Sequence, residues 1–137
     1  MNTQETKTSF GKILGLSLVA GLISTIINVI LFFIGKAAGF FPDTVLIPNQ
    51  NAPLNFVNFI ISSIVPSLLA GLVMGLIYRF IKNSKKVFNI ISIVLVIFSF
   101  ANPFFIPAVP IMMAVMLNLM HLVVAGNLIY VFNKYIK

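Results

Sequence analysis

The sequence has no cysteine, only two acidic residues and only one histidine. Without Cys there is no disulfide, no thiolate metal site and no Cys nucleophile. The acids, Glu5 and Asp43, lie at opposite edges of a long apolar stretch and cannot form a carboxylate pair. A single His excludes bis-histidine haem ligation, and metal centres normally want three or four His, Cys or carboxylate ligands. The glycines sit inside apolar runs rather than in phosphate-cradling loops. These absences speak against an enzyme working alone, and no cofactor is expected.

What is present is hydrophobic. Of 137 residues, 60% are hydrophobic and 8% charged, against about 45–50% and about 25% in soluble domains. Such a chain lacks the polar residues to cover a water-exposed surface. Its organising stretch is Val87 to Asn133, which holds no Asp, Glu, Lys or Arg. That is too long for one crossing, since about 20 apolar residues span the hydrocarbon core. Pro103, Pro107 and Pro110 punctuate its middle. Each proline removes a backbone donor and disfavours helix just before it, so the cluster reads as a corner between two spans.

The expected fold is an all-α membrane protein, a four-transmembrane-helix bundle in one membrane domain. Residues 1–12 read as a short, flexible polar tail. Ile13 to Gly35 carries no charge and gives ~34 Å of helix at ~1.5 Å per residue. A signal peptide would have a shorter apolar run and a small-x-small cleavage site, and Gly35-Lys36-Ala37 matches that poorly. Residues 36–55 form the long outer loop, with Phe40 and Phe41 expected in the headgroup zone and Val45-Leu46-Ile47 dipping toward it. The second span is 56–78, the basic cytoplasmic loop 79–86, the third span 87–105, the outer turn 106–110 and the fourth span 111–133, ahead of a cytoplasmic end at 134–137.

Charge sets the expected orientation. Four spans place Lys7, Lys12, Arg79, Lys82, Lys85, Lys86, Lys134 and Lys137 on one side and Lys36 alone on the other. The positive-inside rule then puts both termini in the cytoplasm, and Tyr78, Tyr130 and Tyr135 near the inner interface. Abundant Ile, Phe, Asn and Lys suit an AT-rich bacterial genome, so the expected location is a bacterial cytoplasmic membrane. Arg79, Lys82, Lys85 and Lys86 are expected to contact anionic lipid. Nucleic acid is not an expected partner, because no folded cytoplasmic domain exists to present the charge.

Helices in lipid gain little from hydrophobic burial and associate through small residues and side-chain hydrogen bonds. Ser63, Ser67, Gly71 and Gly75 repeat every four residues in the second span, a ridge that admits a neighbouring backbone. Ser17, Gly21, Ser24 and Asn28 form one face of the first span. The third span carries Asn89, Ser92, Ser99 and Asn102, and the fourth aligns Ala114, Asn118, His121 and Ala125. Each stripe is read as facing the bundle interior. Ser24, Ser67 and His121 fall near mid-membrane, with Asn28, Ser63, Ser99 and Asn118 about one turn outward. Pro66 in the same layer cannot donate to the Ser62 carbonyl, so a kink or an extra hydrogen-bonding group is expected there. Asn127, nearly opposite Asn118 around its helix, needs no special role.

The expected result is a polar cluster of Asn28, Ser63, Ser67, Ser99, Asn118 and His121, opening toward the long loop. It has two readings. One is interhelical glue, with a neutral His in the network. The other is a small-molecule, water or proton site centred on His121, since an ionisable intramembrane residue tends to mark a pathway or ligand site.

The basic tail, the outer loop with Phe41-Pro42, the Arg79–Lys86 turn and a last helix carrying Asn118 and His121 together resemble small four-span bacterial integral membrane proteins of unknown function. The resemblance covers nearly the whole chain. It implies a four-helix membrane bundle and carries over no activity. Compact four-span multidrug exporters are similar in size but rely on a carboxylate in the first span, and none lies between Lys12 and Lys36 here. The preferred functional expectation is a non-enzymatic accessory, assembly or immunity-type membrane component that contacts another membrane protein or itself. The alternative is a small transporter or channel subunit using the polar layer around His121.

Overall fold

The computed structural model describes residues 7–137; the first half of the expected tail, including Glu5, lies outside them. Helix α1 spans Phe10–Ala37, α2 Phe56–Phe80, α3 Ser84–Ser99 and α4 Ile111–Tyr135. A single 3-10 turn at Asn102–Phe105 carries α3 on toward the corner. Among the described residues, four helical stretches (α3 counted together with its 3-10 turn) are long and apolar enough to cross a membrane, and no strand forms.

Local chemistry explains the helix ends. The Ser9 hydroxyl accepts from the Lys12 amide at 3.3 Å, capping the start of α1. Gly39, at φ 78°, ends it in the left-handed conformation that glycine tolerates. Asn55 accepts from the Val57 amide at 2.9 Å, and Asn58 accepts from the Asn55 amide at 2.9 Å, a reciprocal box at the start of α2. Helix α2 runs on through Pro66. The connection to α3 is only Ile81–Asn83, so Arg79 lies in the last turn of α2 and Lys85 and Lys86 in the first turn of α3.

The described end of the tail is docked rather than loose. The Thr8 amide donates to the Tyr78 hydroxyl at 3.1 Å, and that hydroxyl donates to the Lys137 main-chain oxygen at 2.5 Å. The Lys137 amide returns a bond to Thr8 Oγ1 at 3.1 Å. The residues just before α1, the end of α2 and the end of the chain are tied into one ring.

Helix α1 packs along α2 on one side and α4 on the other, while α3 lies against α4 and, less closely, α2. The α1–α2 seam is glycine-controlled. A Cβ built on Gly71 would lie 2.6 Å from Ser17 Cβ, and one on Gly21 would lie 2.9 Å from Ser67 Cβ. Moving four residues up α1 therefore meets the residue four back on α2, an antiparallel register of small residues. Gly75 closes against Phe10 in the same way, 2.5 Å from its Cδ2 to such a Cβ.

Two apolar clusters fill the interior. One, near the docked tail, includes Ile13, Met74, Phe88, Val131 and Phe132. The other, under the long loop, includes Phe32, Phe41, Phe59, Met113 and Met120. Phe41 is only 3% exposed, which corrects its expected place in the headgroup zone. Its ring sits 5.3 Å from Phe32 and 5.9 Å from Phe59, because Gly35 leaves room for it where any Cβ would lie 2.6 Å from its Cε2. Val45 is buried behind it while Leu46 is exposed. The loop folds over the bundle mouth and plugs it. Outside, Ile26, Phe33, Leu69, Leu76, Leu95 and Phe98 are exposed, a surface suited to acyl chains.

The seam generates a prediction. Gly71→Leu should lower stability by about 1–3 kcal/mol through overpacking, measured by unfolding in mixed detergent micelles. Gly15→Leu, where nothing lies within 4 Å of the added carbon, should leave stability unchanged. Equal effects at both positions would contradict the seam.

Candidate functional site

Between the two apolar clusters lies a polar seam. Asn28, 2% exposed, donates from Nδ2 to Ser63 Oγ at 3.0 Å and to the Met120 carbonyl at 3.4 Å. One carboxamide on α1 thereby ties α2 and α4. Its Oδ1 is buried and unpaired among the described residues. One turn along α1, Ser24 Oγ donates to the Ala20 carbonyl at 2.8 Å and accepts from Asn127 Nδ2 at 3.0 Å. Ser67 donates to the Ser63 carbonyl at 2.7 Å, and Ser17 to the Leu14 carbonyl at 2.7 Å. These hydroxyls are satisfied within their own helices, so there serine acts as a small residue for close packing.

The six candidate residues do not form one cluster. Asn28, Ser63 and Ser67 come together in the seam. Ser99 donates to the Val96 carbonyl of its own helix at 2.7 Å. Asn118 turns to the end of α3, donating to the Phe100 carbonyl at 3.2 Å. His121 lies elsewhere, in a cleft of about 360 Å³ beside the outer loop, with Gln50, Leu54, Asn58, Ser62 and Leu117. Its Nδ1 is buried and has no hydrogen-bond partner among the described residues. Gln50 Oε1 accepts from Asn58 Nδ2 at 3.0 Å across the same cleft. The expected four-helix layer is thus split into separate features, and the seam does not open toward the loop because Phe41 and its neighbours close that end.

Asn127 is the residue that sequence reasoning missed. The stripe taken as the inward face of α4, Ala114-Asn118-His121-Ala125, has only Ala114 fully buried. The face against α1 instead carries Met113 and Met120, both buried, and Asn127 continues their seven-residue spacing. That spacing keeps residues on one side of a helix and was the available signal. Methionine fills irregular gaps between helices, so a small-residue rule passes over it. On α3, Asn89 faces Asn133 in a reciprocal amide pair at 3.3 and 2.8 Å, fastening α3 to α4. Arg79 lies over the Phe80 ring at 5.7 Å, and Lys36 pairs with Asp43 at the opposite end of the bundle.

Fold and seam together define a small helical membrane bundle, with four helices able to span a bilayer and a polar girdle of two asparagines and three serines between apolar plugs. Residues 8–137 match the model of a family of unknown function (DUF6069), and the chain belongs to that family. No curated protein and no solved structure matches the chain.

The seam is testable by a double-mutant cycle. Asn28→Ala should cost about 1 kcal/mol, from two interhelical bonds of around 0.6 kcal/mol each. Ser63→Ala in that background should add little, giving a coupling of around 0.6 kcal/mol. Strictly additive losses in micellar unfolding would contradict the direct Asn28–Ser63 bond.

Proposed function

We propose that the protein is a non-enzymatic multi-pass component of a bacterial cytoplasmic membrane, with both termini in the cytoplasm. It acts as an accessory, assembly or immunity-type partner of another membrane component and uses no cofactor. The observation that carries this reading is the use of the interior polar groups. Asn28 engages Ser63 and Met120, and Asn127 engages Ser24, so the core polarity goes into holding helices together between two apolar plugs. Such an interior supports a sealed bundle whose activity lies on its surfaces. Helix α3 supplies one such surface, since only Ser84 and Phe88 among its residues are buried. Orientation follows the positive-inside rule, with Lys12, Arg79, Lys82, Lys85, Lys86, Lys134 and Lys137 at one end and Lys36, paired with Asp43, at the other.

A second reading, a small transporter or channel subunit, draws on the unpaired His121 Nδ1 in its cleft. In that case the solute would be met at the side of the bundle, beneath the outer loop, and not along the seam. The variant His121→Leu separates the two. The accessory reading expects a folded protein that still captures the same membrane partner in cross-linking of native membranes. Loss of a solute flux with folding and partner capture intact would transfer the assignment to transport.

A further inference from the structure

The end of the bundle where Thr8 meets Lys137 holds a cleft of about 400 Å³, lined in part by Tyr78, Lys82, Ser84, Lys85, Lys86 and Lys137. Helix α3 starts inside it. The first intrahelical bond of α3 runs from the Val87 amide to the Asn83 carbonyl at 3.1 Å, so the amides of Ser84, Lys85 and Lys86 have no acceptor within the helix. The Asn83 side chain does not cap them, and the first turn has no acidic residue. Three free N–H groups and the positive end of the helix dipole therefore meet at the cleft.

A second observation points the same way. Ser84 is 4% exposed, lines the cleft, and its hydroxyl makes no hydrogen bond among the described residues. What remains open of this side chain lies in the cleft lining, so its hydroxyl, beside the uncapped amides, is free to donate to an acceptor that enters there. The charged side chains around the cleft are all of one sign. Lys82, Lys85 and Lys86 ring the helix start, with Lys85 Nζ held at the rim by the Asn133 carbonyl at 3.2 Å. The acceptor already present, the Lys137 main-chain oxygen, is engaged by Tyr78. Among the described residues the one acidic side chain is Asp43, at the far end with Lys36.

We infer that this cleft binds a phosphate group. A tetrahedral oxyanion offers several acceptor oxygens at once, which suits backbone amides, a hydroxyl and ammonium groups converging from different directions. The phosphate belongs either to an anionic lipid headgroup in the adjoining leaflet or to a free phosphate, and both present the same oxygens to α3. The site goes beyond diffuse attraction of basic side chains to a charged surface, because the α3 amides and Ser84 are part of it. It is independent of which membrane partner the protein serves.

The test uses the full chain in a sugar-headgroup detergent, which brings no phosphate of its own. Inorganic phosphate or short-chain phosphatidylglycerol is titrated in while amide exchange of Ser84, Lys85 and Lys86 is followed. Exchange should slow with saturation. Lys82→Gln combined with Lys86→Gln, both at exposed positions, should raise the half-saturating concentration about thirtyfold, while helix content by circular dichroism reports that the variant folds. Lys134→Gln, outside the cleft at the same end, should leave it unchanged. A response to phosphatidylglycerol alone identifies the lipid headgroup, and a response to inorganic phosphate identifies the free anion. No slowing with either ligand, or equal weakening by Lys134→Gln, would overturn the site.

Discussion

The structure depends on how closely the backbones of α1 and α2 approach. In lipid, one apolar surface is as good a neighbour as another, so helices stay together only where atoms fit more densely than acyl chains allow. Gly71 against Ser17 and Gly21 against Ser67 supply that fit. These contacts leave no room for a methyl group on either glycine. Only with the seam closed does Asn28 come within 3.0 Å of Ser63, from where it also reaches α4. The remaining helices follow in a hierarchy: α4 is held to α1 by Asn28 and Asn127, and α3 to α4 by the Asn89–Asn133 pair.

This hierarchy bears on what such a bundle can do. Its intramembrane polar groups are short-range connectors, flanked above by Phe32, Phe41 and Phe59 and below by Ile13, Met74 and Phe132. Asn28 Oδ1 is left unpaired within the seam, while at the margins His121 faces its lateral cleft and α3 presents free amides to a basic one. The contacts proposed with lipid and with another membrane component rest on these outward-facing groups. The two ends also differ in charge, since one gathers the basic residues and the other keeps Lys36 paired with Asp43.

Much of the fold was legible because lipid imposes a strong filter. Backbone polar groups must be satisfied within each span, so uncharged runs of sufficient length have few alternatives to helix. The α1 and α2 faces were legible for a related reason, as four-residue repeats of Ser and Gly have little use except close approach. The face of α4 was not, because Ala114, Asn118, His121 and Ala125 form as regular a stripe as Met113, Met120 and Asn127. Choosing between them requires knowing which shape α1 and α2 present once joined. Phe41 was misplaced because an aromatic beside a proline at a span end ordinarily suits the interface. Only the space left by Gly35, across the turn, draws it inward.

The central claim is that α1 and α2 zip together through small residues inside the membrane. The absence of native cysteine makes disulfide trapping in native membranes a direct measurement of it. An Asn28→Cys, Ser63→Cys pair, which leaves the seam glycines in place, should form an intramolecular disulfide on mild oxidation, since the side chains replaced meet at 3.0 Å across the seam, within the reach of a disulfide. A Gly15→Cys, Leu69→Cys pair, both on outward faces, should remain reduced within the chain. Trapping of the second pair, or failure of the first in a protein that is inserted and folded, would contradict the account.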